Sequence, residues 1–199
     1  MPLRKIVFIK RGRFSGINQF VRQELERQFP GHELEEIDVG LDLLKRHPHL
    51  LALNWLHVFA HYGWAIATRR RPLGMCFYYT PFIARQIRRL LLAHLAPRSS
   101  EFAFSFVTQS LFNAKIPGLP HFLYTDHTHL ANLRAPGFDQ AFLATREWIA
   151  LERETYRDAD RLFVMGENAR ASLIEQYGED HRASAVSTQA IIRTPRRRP

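Results

Sequence analysis

Short apolar runs and segments of helical spacing alternate along the chain. Four consecutive apolar residues at 6–9 predict a strand, and apolar positions at helical spacing over residues 17–29 predict a helix. A segment bounded by Gly12 and Gly16 joins the two, and a second strand is predicted at 34–39. The order strand, loop, helix, strand is typical of a βαβ unit, which implies parallel strands.

The remaining pattern extends this alternation. Further strands are predicted at 102–107, 121–125 and 161–165, with another beginning near 184–187. Helices are predicted at 41–70, 81–96, 139–157 and 169–177. The sequence therefore predicts an α/β, Rossmann-like doubly wound fold, with a mostly parallel sheet and helices on both faces. We expect one domain over 1–188 and a disordered Arg/Pro-rich tail over 189–199.

Charge narrows the choice of partners. The chain has 199 residues, 28 Lys or Arg, 19 Asp or Glu and a net charge of +9. Four arginines in the tail account for part of this excess and leave +5 for the rest. A basic surface suits phosphorylated ligands, an anionic membrane or nucleic acid. No helix-turn-helix, zinc-finger or RNA-binding motif is visible in the sequence, which argues against nucleic acid.

Cysteine content and hydropathy indicate a cytoplasmic protein, with a peripheral position at the inner face of the membrane left open. The single cysteine, Cys76, cannot form an internal disulfide and is predicted to be a core residue in a reducing compartment. Polar residues and glycine interrupt the apolar segment 50–68, which is therefore predicted to be a buried or surface-lying helix. In the helix at 81–96, a leucine-rich side opposite arginines fits either shallow membrane contact or a solvated helix.

The loop between Gly12 and Gly16 is the first candidate site. In doubly wound sheets, ligands bind beyond the carboxyl ends of the strands, and a helix N-terminus attracts anions. Gly12 and Gly16 would admit a phosphate, and Arg13 would add positive charge. The spacing matches neither G-x-G-x-x-G nor a Walker loop, which argues against nicotinamide dinucleotides and ATP hydrolysis. The alternative is a glycine turn beside solvated arginines.

The segment Asp126-His127-Thr128-His129 is the second candidate, because it follows a predicted strand. His127 beside a substrate, with Asp126 nearby, is one interpretation, and a hydrogen-bonded structural histidine is another. A shared metal would need further ligands at other strand ends, which the sequence does not offer, so no metal is predicted. Acidic residues of the following helix are predicted to form a solvated, salt-bridged face: Glu147, Glu152 and Glu154.

Three stretches together resemble a known family. They are KIVFIKRGRFSGINQFVRQEL, HFLYTDHTHL and REWIALERETYRDADRLFVMGENARASLIEQYG. In this order and spacing they resemble the N-terminal domain of glycosyltransferase family 4 enzymes, which are retaining transferases of GT-B fold. The resemblance covers residues 3–188. The family commonly has adjacent glycines in the first loop and often serine at the position of Gly166, so this chain departs from it at both places.

The resemblance implies transfer of a sugar, such as a hexose, from a nucleotide-sugar donor to an acceptor hydroxyl with retention, as in polysaccharide biosynthesis. Gly12 and Gly16 would lie near the donor phosphates with Arg13 assisting. His127 would be the catalytic position near the reacting sugar, beside Asp126. The acceptor would be a sugar or a lipid-linked molecule, and the nucleotide-sugar would be a co-substrate, with no other cofactor expected.

The resemblance also implies a second, donor-binding domain. After residue 186 the family continues into that domain, whereas this sequence runs into the Arg/Pro-rich tail. We therefore expect a truncated or frameshifted chain that is inactive alone, or one that pairs with a separate donor-domain chain. A non-catalytic module that binds an acceptor, a membrane or a partner is the alternative. A basic domain that binds nucleic acid is the second alternative.

Overall fold

The computed structural model describes residues 4–12, 16–179 and 183–185. Its centre is one six-stranded sheet in the order β2-β1-β3-β4-β5-β6, and every neighbouring pair is parallel. The strands are β1 (Lys5–Lys10), β2 (Glu33–Asp38), β3 (Phe102–Thr108), β4 (His121–Thr125), β5 (Arg161–Val164) and β6 (Ala183–Ala185). The predicted α/β class is confirmed. The predicted tail lies outside the described residues.

Six α-helices accompany the strands within the described ranges. They are α1 (Ile17–Gln28), α2 (Pro48–Ala67), α3 (Leu73–Cys76), α4 (Pro81–Leu95), α5 (Arg146–Asp158) and α6 (Glu167–Ser172). A π-helical turn over Leu173–Tyr177 continues α6, and Gly178 ends it with φ +80°. The predicted helix at 139–157 is wrong at its start. Thr145 caps α5 by accepting a hydrogen bond from Trp148 N, and Gln140–Phe142 forms a separate 3₁₀ turn.

The helices cover the two faces of the sheet unequally. Val21 and Leu25 of α1 pack with Phe8 on one face, whereas α4, α5 and α6 contribute to the main core on the other. The division is the one expected from right-handed crossovers, which are the rule for parallel strands, because the chain moves from β1 towards one edge and afterwards only towards the opposite edge. The prediction that helices cover both faces is confirmed. Among these described helices, α1 covers one face, and α4, α5 and α6 cover the other.

The leucine-rich side of α4 belongs to the main core. Ile83, Ile87, Leu91 and Leu95 are buried there. On the outer side, Arg85 pairs with Glu147 at 2.7 Å. The apolar side that we considered for shallow membrane contact therefore faces the protein interior, and its arginines lie beside α5.

Two further expectations concern the region around α2. Cys76 is fully buried and packs with Val58 and Tyr62, which confirms it as a core residue. Within the described ranges, no helix is long and apolar enough to cross a bilayer.

Candidate functional site at the carboxyl edge of the sheet

The parallel sheet brings the two predicted segments to one edge. β3 lies between β1 and β4, so the loops after β1 and β4 are two strand spacings apart, about 10 Å. Gly12 and His127 therefore share the carboxyl edge, where doubly wound folds bind ligands. However, the residues that we predicted line two cavities, which we call the His127 cavity and the glycine-loop cavity.

The His127 cavity has a volume of about 210 Å³. Its lining residues come from the segment before α4, the ends of β3 and β4, and α5: Tyr79, Gln109, Ser110, Leu111, Thr125, Asp126, His127, His129, Trp148 and Glu152. His127 is exposed and Asp126 is half-buried. Burial raises the pKa of the Asp126 carboxyl. The cavity therefore presents an accessible imidazole and a carboxyl group to a polar ligand.

Gln109 is a feature of this cavity that the sequence pattern did not indicate. It follows β3 directly, with φ +76°. Residues other than glycine adopt this backbone conformation at a cost of about 1 kcal/mol or more. Its backbone N–H donates to Tyr124 O at 2.9 Å. Its side-chain Oε1 is buried and accepts no hydrogen bond from the described residues. A strained residue with an unsatisfied acceptor is typical of a ligand-binding position.

Glu152 corrects the prediction of a solvated acidic face. Glu147 does pair with an exposed arginine, but Glu152 is only 2% exposed. Its carboxylate accepts hydrogen bonds from four groups: Ser110 Oγ at 3.0 Å, His129 N at 3.1 Å, Tyr156 OH at 2.9 Å and Tyr177 OH. Burial raises the pKa of Glu152, while these donors act in the opposite direction. Glu152 therefore joins the ends of β3 and β4 to α5 and the turn after α6.

His129 is a structural histidine. Its Nε2 accepts a hydrogen bond from Ala144 N at 2.7 Å, and its ring contacts the rings of Tyr79 and Trp148, with centroids at 5.0 and 5.1 Å. Burial and then the charge of Arg71 lower its pKa to about 4, so the imidazole is neutral at pH 7. The described residues include no group of three or more His, Cys, Asp or Glu arranged to hold a metal ion.

The glycine-loop cavity has a volume of about 430 Å³. Its lining residues come from β1, the start of α1 and β2: Lys10, Gly12, Gly16, Asn18, Gln19, Arg22 and Glu36. Gly16 has φ +79° and precedes α1 without a side-chain cap. An anion there would meet first-turn N–H groups without displacing a cap. Arg13 lies outside the described residues.

Gly12 itself is already bound within the protein. Its N–H donates to Asp38 Oδ2 at 3.0 Å, and its carbonyl accepts from Asn18 Nδ2 at 2.6 Å. Asn18 Oδ1 in turn accepts from Thr108 Oγ1 at 2.6 Å. In this structure the Gly12 N–H is therefore directed at Asp38, and whether Gly12 and Gly16 admit a phosphate stays a prediction. Asp38 and Asn18 hold the loop, and its φ of +57° at residue 12 favours glycine.

Comparisons with protein-family models, curated protein sequences and solved structures found no match to this chain. The candidate site therefore rests on its own geometry and on the position of its residues in the sheet.

Proposed function

We propose that the chain is the acceptor-side domain of a retaining glycosyltransferase of GT-B type. The observation that carries the proposal is the His127 cavity, which lies at the carboxyl edge beside the loop that follows β1. The order of motifs along the chain supports it independently. Because the parent reaction develops positive charge on a sugar and negative charge on a departing phosphate, fixed polar groups at such an edge are the expected means of catalysis.

Polar groups of both cavities have defined parts in the proposal. The exposed His127 imidazole would hydrogen-bond a sugar hydroxyl near the reacting carbon. The buried Oε1 of Gln109 would accept a hydrogen bond from a second hydroxyl. The first turn of α1, after Gly16, would receive phosphate oxygens with Arg13 assisting. We propose a cytoplasmic location for this domain, at the inner face of the membrane, with a sugar or lipid-linked molecule as acceptor.

Substitution of His127 should weaken sugar binding. We expect UDP- or GDP-sugars to shift NMR resonances of residues around the His127 cavity. His127→Ala should reduce that affinity by about tenfold, the value of one good hydrogen bond to a ligand. The matched control is His94→Ala, since His94 is exposed on α4 and does not line the cavity. Equal affinities for His127→Ala and the unchanged protein would contradict the proposed role.

The purified 199-residue chain should release no nucleotide from these sugars above the uncatalysed rate. The described sheet forms one side of the proposed crevice, and a donor-binding domain would form the other. Without that second side, a bound sugar stays exposed to water, and its phosphates lack the hydrogen-bond donors that a donor-binding domain would supply. Coupled detection of UDP or GDP measures this rate, and addition of a donor-domain chain should restore transfer. Turnover by the isolated chain would show that the site is sufficient alone.

A non-catalytic binding module is the second candidate, and one observation favours it. Asp38 occupies the Gly12 N–H, so part of the expected phosphate cradle is already satisfied. Such a module would bind the acceptor through the His127 cavity and leave donor phosphates unbound. Binding of free sugars or glycolipid headgroups without any binding of nucleotide-sugars would favour the module.

A further inference from the structure

One segment of the chain carries basic residues and no acidic ones. Residues 43–100 contain nine Lys or Arg and no Asp or Glu. The other nineteen basic residues equal the nineteen acidic residues of the whole chain, so the remainder is formally neutral. This segment includes α2, α3 and α4. In the fold, Arg71 is buried and Arg85, Arg88 and Arg98 pair with acidic residues from outside the segment, so its exposed basic residues lie mainly at the two ends of α2.

Within this segment, α2 exposes apolar side chains to solvent. None of its twenty residues is charged. One side of the helix is buried through Leu50, Asn54, Val58 and Tyr62. The opposite side carries the residues that we call the α2 apolar face: Leu53 (45% exposed), Leu56 (67%), Phe59 (54%) and Trp64 (80%). A contiguous set of large exposed apolar residues marks an interaction surface in a soluble domain.

The orientation of α2 is fixed by buried polar contacts. Asn54 Nδ2 donates to Phe77 O at 2.8 Å, and Tyr62 OH donates to Tyr79 O at 2.6 Å. Asn54 Oδ1 also accepts from the buried Thr80 hydroxyl. Rotation of the helix to bury its apolar face would leave these groups unsatisfied. The exposure is therefore part of the folded structure.

Basic residues stand at both ends of α2. Lys45 and Arg46 precede the helix, Arg69 and Arg70 follow it, and all four are exposed. A twenty-residue helix is about 30 Å long, so the two pairs lie far apart on either side of the apolar face. Nearby, α3 adds the exposed Leu73 and Met75.

We propose that the α2 apolar face lies in the surface of a bilayer that contains anionic lipids. An apolar face with an exposed tryptophan suits the boundary between headgroups and acyl chains, and basic residues at both ends suit anionic headgroups. A second copy of the chain fits less well, because it would bring two acid-free, basic segments together. The proposal rests on α2 and the residues that flank it and does not depend on sugar transfer, and it would supply the contact for the membrane position proposed above.

Co-sedimentation with vesicles tests the proposal on the full chain. Vesicles of phosphatidylcholine and phosphatidylglycerol should bind the protein, whereas pure phosphatidylcholine should bind it at least about tenfold more weakly. Leu56→Ser combined with Phe59→Ser should reduce binding at least about tenfold, as should Arg69→Glu combined with Arg70→Glu. The controls are Leu133→Ser and Arg161→Glu, since both residues are exposed outside the segment. Circular dichroism verifies that each variant is folded.

Trp64 provides a local readout. Its fluorescence should shift to shorter wavelength with anionic vesicles. Trp64→Phe should keep binding but lose most of that shift, because Trp148 is buried and Trp55 is partly buried against Phe77. Anionic-vesicle binding that is unchanged in both α2 double variants would overturn the proposal. So would absence of binding. Concentration-dependent dimers in analytical ultracentrifugation, abolished by Leu56→Ser with Phe59→Ser, would overturn it in favour of a second copy.

Discussion

Replacement of Glu152 by alanine is expected to lower the free energy of unfolding by about 3–5 kcal/mol. The carboxylate is buried and accepts from Ser110, Tyr156 and Tyr177 as well as from a backbone N–H. Truncation would leave these four donors without their acceptor in a site that is closed to solvent, and each unsatisfied buried donor costs about 1–3 kcal/mol before relaxation. Some relaxation, with hydrogen bonds re-forming between the hydroxyls, keeps the total below the simple sum.

Urea unfolding at pH 7, followed by circular dichroism, measures this loss. Glu154→Ala is the matched control, because Glu154 is an exposed glutamate two residues away on α5. It should change the free energy of unfolding by less than about 0.5 kcal/mol. Glu152→Gln should fall between the two, since an amide oxygen still accepts but its NH₂ group opposes a hydroxyl donor. A decrease of less than about 1 kcal/mol in the free energy of unfolding for Glu152→Ala would contradict the role given to the buried carboxylate.

Acidification from pH 7.5 to pH 5 should lower the free energy of unfolding by about 4 kcal/mol through two histidines. Burial lowers the pKa of His121 to about 4, with Lys115 as the next cause. Burial, followed by Arg71, lowers that of His129 to about 4. In the unfolded chain both take up a proton near pH 6.5, whereas in the folded chain they stay neutral until about pH 4. Their contribution is therefore complete above pH 6.5 and is lost as pH falls.

Glutamine variants, whose side chains do not take up a proton, separate the contribution of the two histidines from that of other groups. His121→Gln and His129→Gln should each remove about half of the change in stability between pH 7.5 and pH 5. His94→Gln, on the exposed side of α4, is the control for removal of a histidine that is not buried. The comparison stops at pH 5 because, below it, carboxylates with lowered pKa values, such as Glu35 beside Arg98, also lose stabilisation. A wild-type slope that persists in the double glutamine variant would assign the effect to other groups.

The strands were predictable because their composition agrees with their final environment. The apolar run at 6–9 becomes the centre of β1, which is buried on both faces of the sheet. The start of α5 was not predictable from spacing alone. Phe142 continues the apolar period of the helix, but the hydroxyl of Thr145 caps the first turn and places the boundary at Arg146.

The candidate site was predictable in its location and less so in its contacts. Strand ends placed Gly12, Asp126 and His127 at one edge, because all parallel strands end there. Nothing local to Gly12 showed that Asp38, 26 residues away, would take its N–H. Glu152 had a visible indication, since Trp148 and Tyr156 lie four residues before and after it. Both are large aromatic residues at helical spacing, which places Glu152 on the buried side of α5.

The position of Glu152 also has a consequence for sequence divergence. Its carboxylate accepts hydrogen bonds from side-chain hydroxyls in three separate parts of the chain, at Ser110, Tyr156 and Tyr177. Loss of Glu152 leaves all three hydroxyls without this acceptor, and loss of one hydroxyl leaves the buried carboxylate with one donor fewer, so drift at these positions should be correlated rather than independent. We expect related proteins to retain or replace the four residues as a set. That set offers a pattern for recognising distant relatives after overall similarity has decayed.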